Sequence, residues 1–133
     1  MRAVVFEKYR SAPVLTEVEK PTPGPGEVLL KVAGAGACHS DVAVFREFDE
    51  AHGPAQLRPS FVLGHENSGW VEEVGPGVAA GIEKGAAYLV YGPTGCGHCP
   101  ACSRGQDTYC ENAATMPHLA VGLGRDGGMA EYV

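Results

Sequence analysis

Four of the chain's five cysteines fall within the fifteen residues CGHCPACSRGQDTYC: Cys96, Cys99, Cys102 and Cys110. Their spacing is C-x2-C-x2-C-x7-C. Thiolates at this density suit a soft cation, and Zn(II) accepts four of them in a tetrahedron. Gly97 and Gly105 stand where the backbone must turn tightly around an ion. Two competing chemistries fit less well. Disulfides need an oxidising compartment and would leave an odd cysteine over. An iron–sulfur cluster of the bacterial ferredoxin type calls for C-x2-C-x2-C-x3-C-P. Here seven residues precede the last cysteine, and Glu111 follows it. The lobe, residues 92–115, therefore reads as a closed structural zinc site. Four thiolates leave no coordination position open, so such an ion does no chemistry. His98, between two of the cysteines, reads as an exposed knuckle residue.

The fifth cysteine belongs to a different constellation. Cys38 begins CHSD, followed by His39, Ser40 and Asp41, and GHENSGWVEEVG carries His65 and Glu66 further along. Taken singly, Cys38 is most simply a small buried residue and His65 a hydrogen-bonded core histidine.

Short strands and turns must position these groups. RAVVF and VLTEVE read as the first two strands, and PTPGPG is a rigid turn before a third over Glu27 to Val32. CHSDVAVFREF is the helix candidate, with Val42, Phe45 and Val44 on its apolar side and Ser40 or Asp41 as its cap. EAHGPAQLRP is a polar loop. SGWVEEVGPGV and GAAYLVYG read as strands, and MAEYV as a last one after the loop TMPHLAVGLGRDGG. Within that loop GLGRDG matches G-x-G-x-x-G. It opens no helix of a βαβ unit and no acidic ribose-binding residue follows it, so it reads as a loop. The sum is a mostly β domain with one short helix and one long inserted loop.

Composition narrows the function. A length of 133 residues suits one domain with its own core. Nineteen glycines and ten prolines favour short strands and frequent turns. A formal net charge of −6 with no basic stripe argues against nucleic acid. No apolar run reaches membrane-spanning length. MRAVVFEKYR lacks the pattern of a signal peptide, so a cytoplasmic location is expected. The chain ends within an apparent strand, which suggests a piece of something larger.

Taken together, GPGEVLLKVAGAGACHSD, GHENSGWVEEVGPGV, CGHCPACSRGQDTYC and GGMAEYV form a recognisable series. In these pieces the chain resembles the N-terminal part of the zinc-dependent medium-chain alcohol dehydrogenases, in family order and over nearly its whole length. The resemblance implies a GroES-like, partly open β-barrel with a short helix and a zinc-binding lobe. Residues 1–133 would be an incomplete GroES-like N-terminal domain, with the nucleotide-binding domain absent. Cys38 and His65 would be two ligands of a catalytic zinc, separate from the structural zinc of the lobe. Asp41 would hold the other nitrogen of His65. Ser40 would pass the proton between bound alcohol and solvent, and His39 would face the cofactor pyrophosphate. Glu66 would be an outer carboxylate or a transient ligand. The implied reaction is NAD- or NADP-linked interconversion of small alcohols with aldehydes or ketones, by hydride transfer at a zinc-bound alkoxide.

The sequence departs from the family in three places. The third catalytic ligand, a cysteine or aspartate, is expected beyond Val133. Ala43 stands where many members carry a relay histidine. Gly85-Ala86-Ala87-Tyr88 replaces the usual Gly-Asp-x-Val. The chain alone is therefore expected to be inactive. An alternative is a non-enzymatic zinc-binding or assembly module, forming an oligomer or pairing with a full-length relative.

Overall fold

Period-two alternation of apolar residues builds strands, and the computed structural model, which describes residues 1–133, contains eight of them and one helix. In order they are β1 (Arg2–Phe6), β2 (Val14–Glu17), β3 (Val28–Gly36), α1 (His39–Arg46), β4 (Phe61–Val62), β5 (Glu66–Val74), β6 (Ala87–Leu89), β7 (Ala120–Val121) and β8 (Gly124–Arg125). One sheet has the order β2-β1-β4 and a second β3-β5-β6, both antiparallel, and β7 and β8 form a two-residue parallel pair. No helix is long and apolar enough to cross a membrane.

MAEYV, expected as a strand, makes only single bridges, Ala3 to Ala130 and Lys31 to Tyr132. The reason is that it serves two partners in turn. Val4 N donates to Met129 O at 2.8 Å and Glu131 N to Arg2 O at 3.3 Å, on β1. Val32 N then donates to Glu131 O at 3.0 Å and Leu30 N to Val133 O at 2.7 Å, on β3. Neither partnership runs long enough for a ladder, but together they join the two sheets into a partly open barrel. β3 itself runs past Val32 to Gly36, because β5 stays beside it as far as Glu66 across two register shifts. Glycine's poor strand propensity hides that extension in the sequence.

The core beneath the helix is formed by Phe6, Val44, Leu57, Phe61 and Leu63. The Phe6 ring meets Tyr9 and Phe61 edge-on, at 5.3 and 5.4 Å between centroids. This offset geometry suits the ring quadrupoles. Val44 is the helix's buried anchor, while Val42 and Phe45 are half-buried.

The helix cap differs from expectation. Cys38, rather than Ser40 or Asp41, occupies the N-cap. Its sulfur accepts from Ser40 N at 3.3 Å, and the Asp41 carboxylate accepts from Cys38 N at 2.9 Å. The helix begins at His39, so Asp41 falls at the third helical position and closes a capping box with a thiol in place of a hydroxyl.

Candidate metal centres

In the lobe, the sulfurs of Cys96, Cys99, Cys102 and Cys110 all lie within 4.8 Å of one another. All four are free thiols; Cys96 is half-buried and the other three are buried. Gly97 and Gly105 adopt φ of +77° and +72°, the left-handed turns that let the chain double back. Short 3-10 turns at Cys102–Arg104, Asp107–Tyr109 and Ala113–Thr115 carry the rest of the path. Backbone N–H groups point at sulfur: Cys99 N at Cys96 (3.3 Å), Cys102 N at Cys99 (3.5 Å) and Cys96 N at Cys110 (3.4 Å). A bond from the His98 backbone, aided by the Asn112 amide, draws the Cys96 thiol down to about 6. Backbone bonds from Cys102 and Glu111 lower Cys99, whereas burial pushes Cys102 up to about 12. Four converging reduced sulfurs repel one another once ionised, and a thiophilic tetrahedral cation is the species that this donor set fits. His98 is exposed, with Nδ1 2.7 Å from Cys96 O, as a knuckle residue should be.

A second cluster forms where the first turn of α1 meets the loop before β5. It contains Cys38, Asp41 and His65. Cys38 Sγ stands 3.5 Å from His65 Nε2, and Ser40 Oγ lies 2.9 Å from that sulfur and 3.4 Å from that nitrogen. Tetrahedral zinc, with bonds of about 2.3 Å to sulfur and 2.0–2.1 Å to nitrogen, sets two such ligands roughly 3.5 Å apart. The pair therefore has the separation such an ion requires.

Asp41 lies on the other side of the ring, with Oδ1 3.6 Å from His65 Nδ1. It is buried, and accepts from Cys38 N at 2.9 Å and Gly64 N at 3.3 Å. His65 Nδ1 is a buried polar atom without a hydrogen-bond partner. The two ring nitrogens diverge, so Asp41 faces the edge of the ring opposite Nε2. Gly64 makes the approach possible. Its φ is +95°, and a Cβ there would come within 2.8 Å of Met129 N. Its carbonyl accepts from Asn67 Nδ2 and Gly128 N, each at 3.0 Å.

The remaining candidates fall elsewhere. His39 is exposed on the first helical turn, its Nε2 3.9 Å from Glu47 Oε1. Glu66 is not in the cluster: it opens β5 opposite Gly36, and its carboxylate occupies the space a Cβ at Gly36 would need. Phe45 and Phe48 pack on the core, and Trp70 is half-exposed on β5. A cleft of about 300 Å³ opens beside His65, walled by Met116, His118, Leu119 and Leu123. Burial, with the Arg125 charge, holds the His118 imidazole below its ordinary value. These wall residues carried no sequence signal beyond belonging to a loop. Asn67 did carry one, as a polar residue in step with the inward-facing Gly69 and Val71.

A barrel of this kind with a cysteine lobe defines a class. Residues 24–133 match the alcohol dehydrogenase GroES-like domain, and the chain belongs to that family. An alcohol dehydrogenase of Geobacillus stearothermophilus is 39% identical over 137 residues, covering 99% of this chain and 36% of that protein. An L-threonine 3-dehydrogenase of Pyrococcus furiosus is 40% identical over 132 residues, with 99% and 36% covered. A thermostable alcohol dehydrogenase from Pyrobaculum aerophilum, solved with cobalt and zinc bound, superposes with a TM-score of 0.82 at 36% identity, over 100% of this chain and 38% of that one. The chain thus spans 36% of the length of these two curated relatives.

Proposed function

We propose that the chain is the zinc-bearing part of an NAD- or NADP-linked oxidoreductase that interconverts small alcohols with aldehydes or ketones. The observation that carries this reading is the 3.5 Å separation of Cys38 Sγ and His65 Nε2, with Ser40 Oγ beside both. Cys38 and His65 would hold a catalytic zinc, and Cys96, Cys99, Cys102 and Cys110 a structural one. Held between Cys38 and His65, zinc supplies a Lewis acid that acidifies a hydroxyl and makes a carbonyl more electrophilic.

The chain's own residues do the rest. The Asp41 carboxylate, 3.6 Å from His65 Nδ1, would favour the proton there, leaving the Nε2 lone pair facing the ligand side. Ser40 Oγ accepts the substrate's hydroxyl proton and passes it to solvent; with alanine at position 43 the path goes no further through side chains. Met116, Leu119 and Leu123 exclude water around the apolar end of the alcohol. His39, exposed on the first turn of α1, would meet the cofactor phosphates. Glu66 takes no part in this proton path, since its carboxylate lies over Gly36. The two main sheets are antiparallel and contain no βαβ unit, so the nicotinamide acceptor needs a binding fold outside these 133 residues. The chain alone is expected not to turn over.

The test is zinc per chain, by elemental analysis at saturating metal, for the wild type, Cys38→Ser and His65→Ala. One ion should stay with the lobe in all three, and a second, weaker one should vanish in both variants. An unchanged zinc content in both variants would sink the reading. Alcohol oxidation by the isolated chain at enzyme-like rates would sink the expectation of inactivity. A second reading, a zinc-bearing assembly module without catalysis, rests on the face around β6, where Leu89 is 84% and Trp70 49% exposed. A stoichiometric partner covering that face, with no second zinc, would favour it.

A further inference from the structure

We propose that Asn112 is a positioning residue of the four-cysteine lobe, holding the Cys96 sulfur toward the metal through its side-chain amide. The inference rests on the reading that the lobe binds zinc. Asn112 Nδ2 donates to Cys96 Sγ at 3.3 Å. The sulfurs of the lobe also accept from backbone N–H groups, among them Cys99 N to Cys96, Cys102 N to Cys99 and Cys96 N to Cys110. The Asn112 bond differs in kind. It comes from a side chain, and it ties the segment after the last cysteine back to the first across 16 positions.

Cys96 is the sulfur that gains most from such a tie. It is half-buried where the other three are buried, so water reaches it most easily. Asn112 is itself anchored. Thr115 N and Thr115 Oγ1 donate to its carbonyl at 3.0 and 2.9 Å. Gln56 Nε2, from the loop before β4, reaches the next two carbonyls, Ala113 O and Ala114 O, at 3.3 Å each. The amide is thus carried on a turn pinned to the barrel side. Four thiolates around one divalent cation leave excess negative charge, and an N–H donated to sulfur disperses it. This bond therefore steadies both the position and the charge of the most accessible ligand.

The experiment is run in a Cys38→Ser background, so that the lobe alone takes up metal. Cobalt(II) titration reads the sulfur-to-metal charge-transfer band, and competition with a chromophoric chelator reads zinc affinity. Asn112→Asp keeps the shape and removes the donor; Asn112→Leu removes the donor without adding charge. Both should weaken zinc binding about 10–100-fold, the usual effect of removing a partner that orients a ligand. Both should move the band to lower energy, because a sulfur without its donor gives up charge more readily. Ser103→Ala, at an exposed lobe position outside the Asn112 anchor, should keep the parent band. Parent-like affinity and band in Asn112→Leu would overturn the proposal, whatever Asn112→Asp did, since the effect would then be charge repulsion alone. If the parent shows no four-thiolate band, the zinc reading itself fails, and the inference with it. That outcome is distinct from a parent that binds and variants that do not differ.

Discussion

Asp41→Asn is the substitution that most directly asks what holds His65. The Asp41 side chain is buried, accepting from Cys38 N at 2.9 Å and from Gly64 N at 3.3 Å. An asparagine oxygen can keep the Cys38 bond. Its nitrogen must then face the Gly64 N–H, donor against donor. A hydrogen bond to a charged group contributes about 1.5–3 kcal/mol, and the 3.3 Å length puts the Gly64 bond near the lower figure. The surviving bond loses roughly half its strength on becoming neutral. Relief of a buried charge offsets part of the loss. The expected destabilisation is about 2 kcal/mol, a fall in Tm of roughly 6–10 °C for a chain of this size. Unfolding can be followed at saturating zinc by the fluorescence of Trp70, the chain's one tryptophan. In parallel, the ion assigned to Cys38 and His65 should bind about 10–100-fold more weakly, while the lobe ion is unaffected. A variant within about 0.5 kcal/mol of wild type, with unchanged affinity for the second ion, would refute the argument. Lost stability with unchanged affinity would leave Asp41 as a helix cap and refute its role in orienting the ring.

Gly64→Ala should cost at least about 2 kcal/mol, from left-handed backbone strain and the 2.8 Å approach of the new Cβ to Met129 N. Thermal melting checks this, and a variant as stable as wild type would contradict the packing. Chelation should open the lobe: a thiol reagent should label Cys38 first in the zinc-loaded chain and all five cysteines after excess EDTA. His118, whose burial lowers its pKa below the ordinary 6.5, stays neutral in the folded chain where the unfolded chain takes up a proton. Stability should therefore fall as pH drops below about 6.5, and His118→Gln should remove that part of the slope in paired urea titrations. Identical slopes for the two proteins would count against it.

The parts of this structure legible in the sequence are those where spacing alone restricts chemistry. Four cysteines separated by two, two and seven residues have few alternatives to a thiophilic ion, and the fold brings their sulfurs together. Cys38 and His65 are different. They are 27 positions apart, and nothing local joins them; only family resemblance pairs them before the fold does. Glu66 shows the limit of adjacency. It follows His65 directly, yet it opens β5 while His65 stays in the loop before it, and its carboxylate ends over Gly36. Cys38 at the N-cap was hidden because capping preferences favour hydroxyls and carboxylates, and the nearby Ser40 and Asp41 satisfy that rule better. The reach of β3 through Gly34 and Gly36 was hidden because its strand character comes from β5 alongside, not from its own residues.

The shared use of residues 129–133 by β1 and β3 bears on how the chain acquires its shape. Arg2 and Glu131 pair through both backbone and side chain. β1 meets β2 and β4 by Val62, but the segment that joins it to β3 lies much further along the chain, at residues 129–133. Contacts this distant in sequence slow folding, since the loop must close before the pairing rewards it. Until then one edge of β1 stays unpaired from Arg2 to Val4, the kind of surface that recruits another chain. The β2-β1-β4 sheet should thus form first and the joining of the two sheets last.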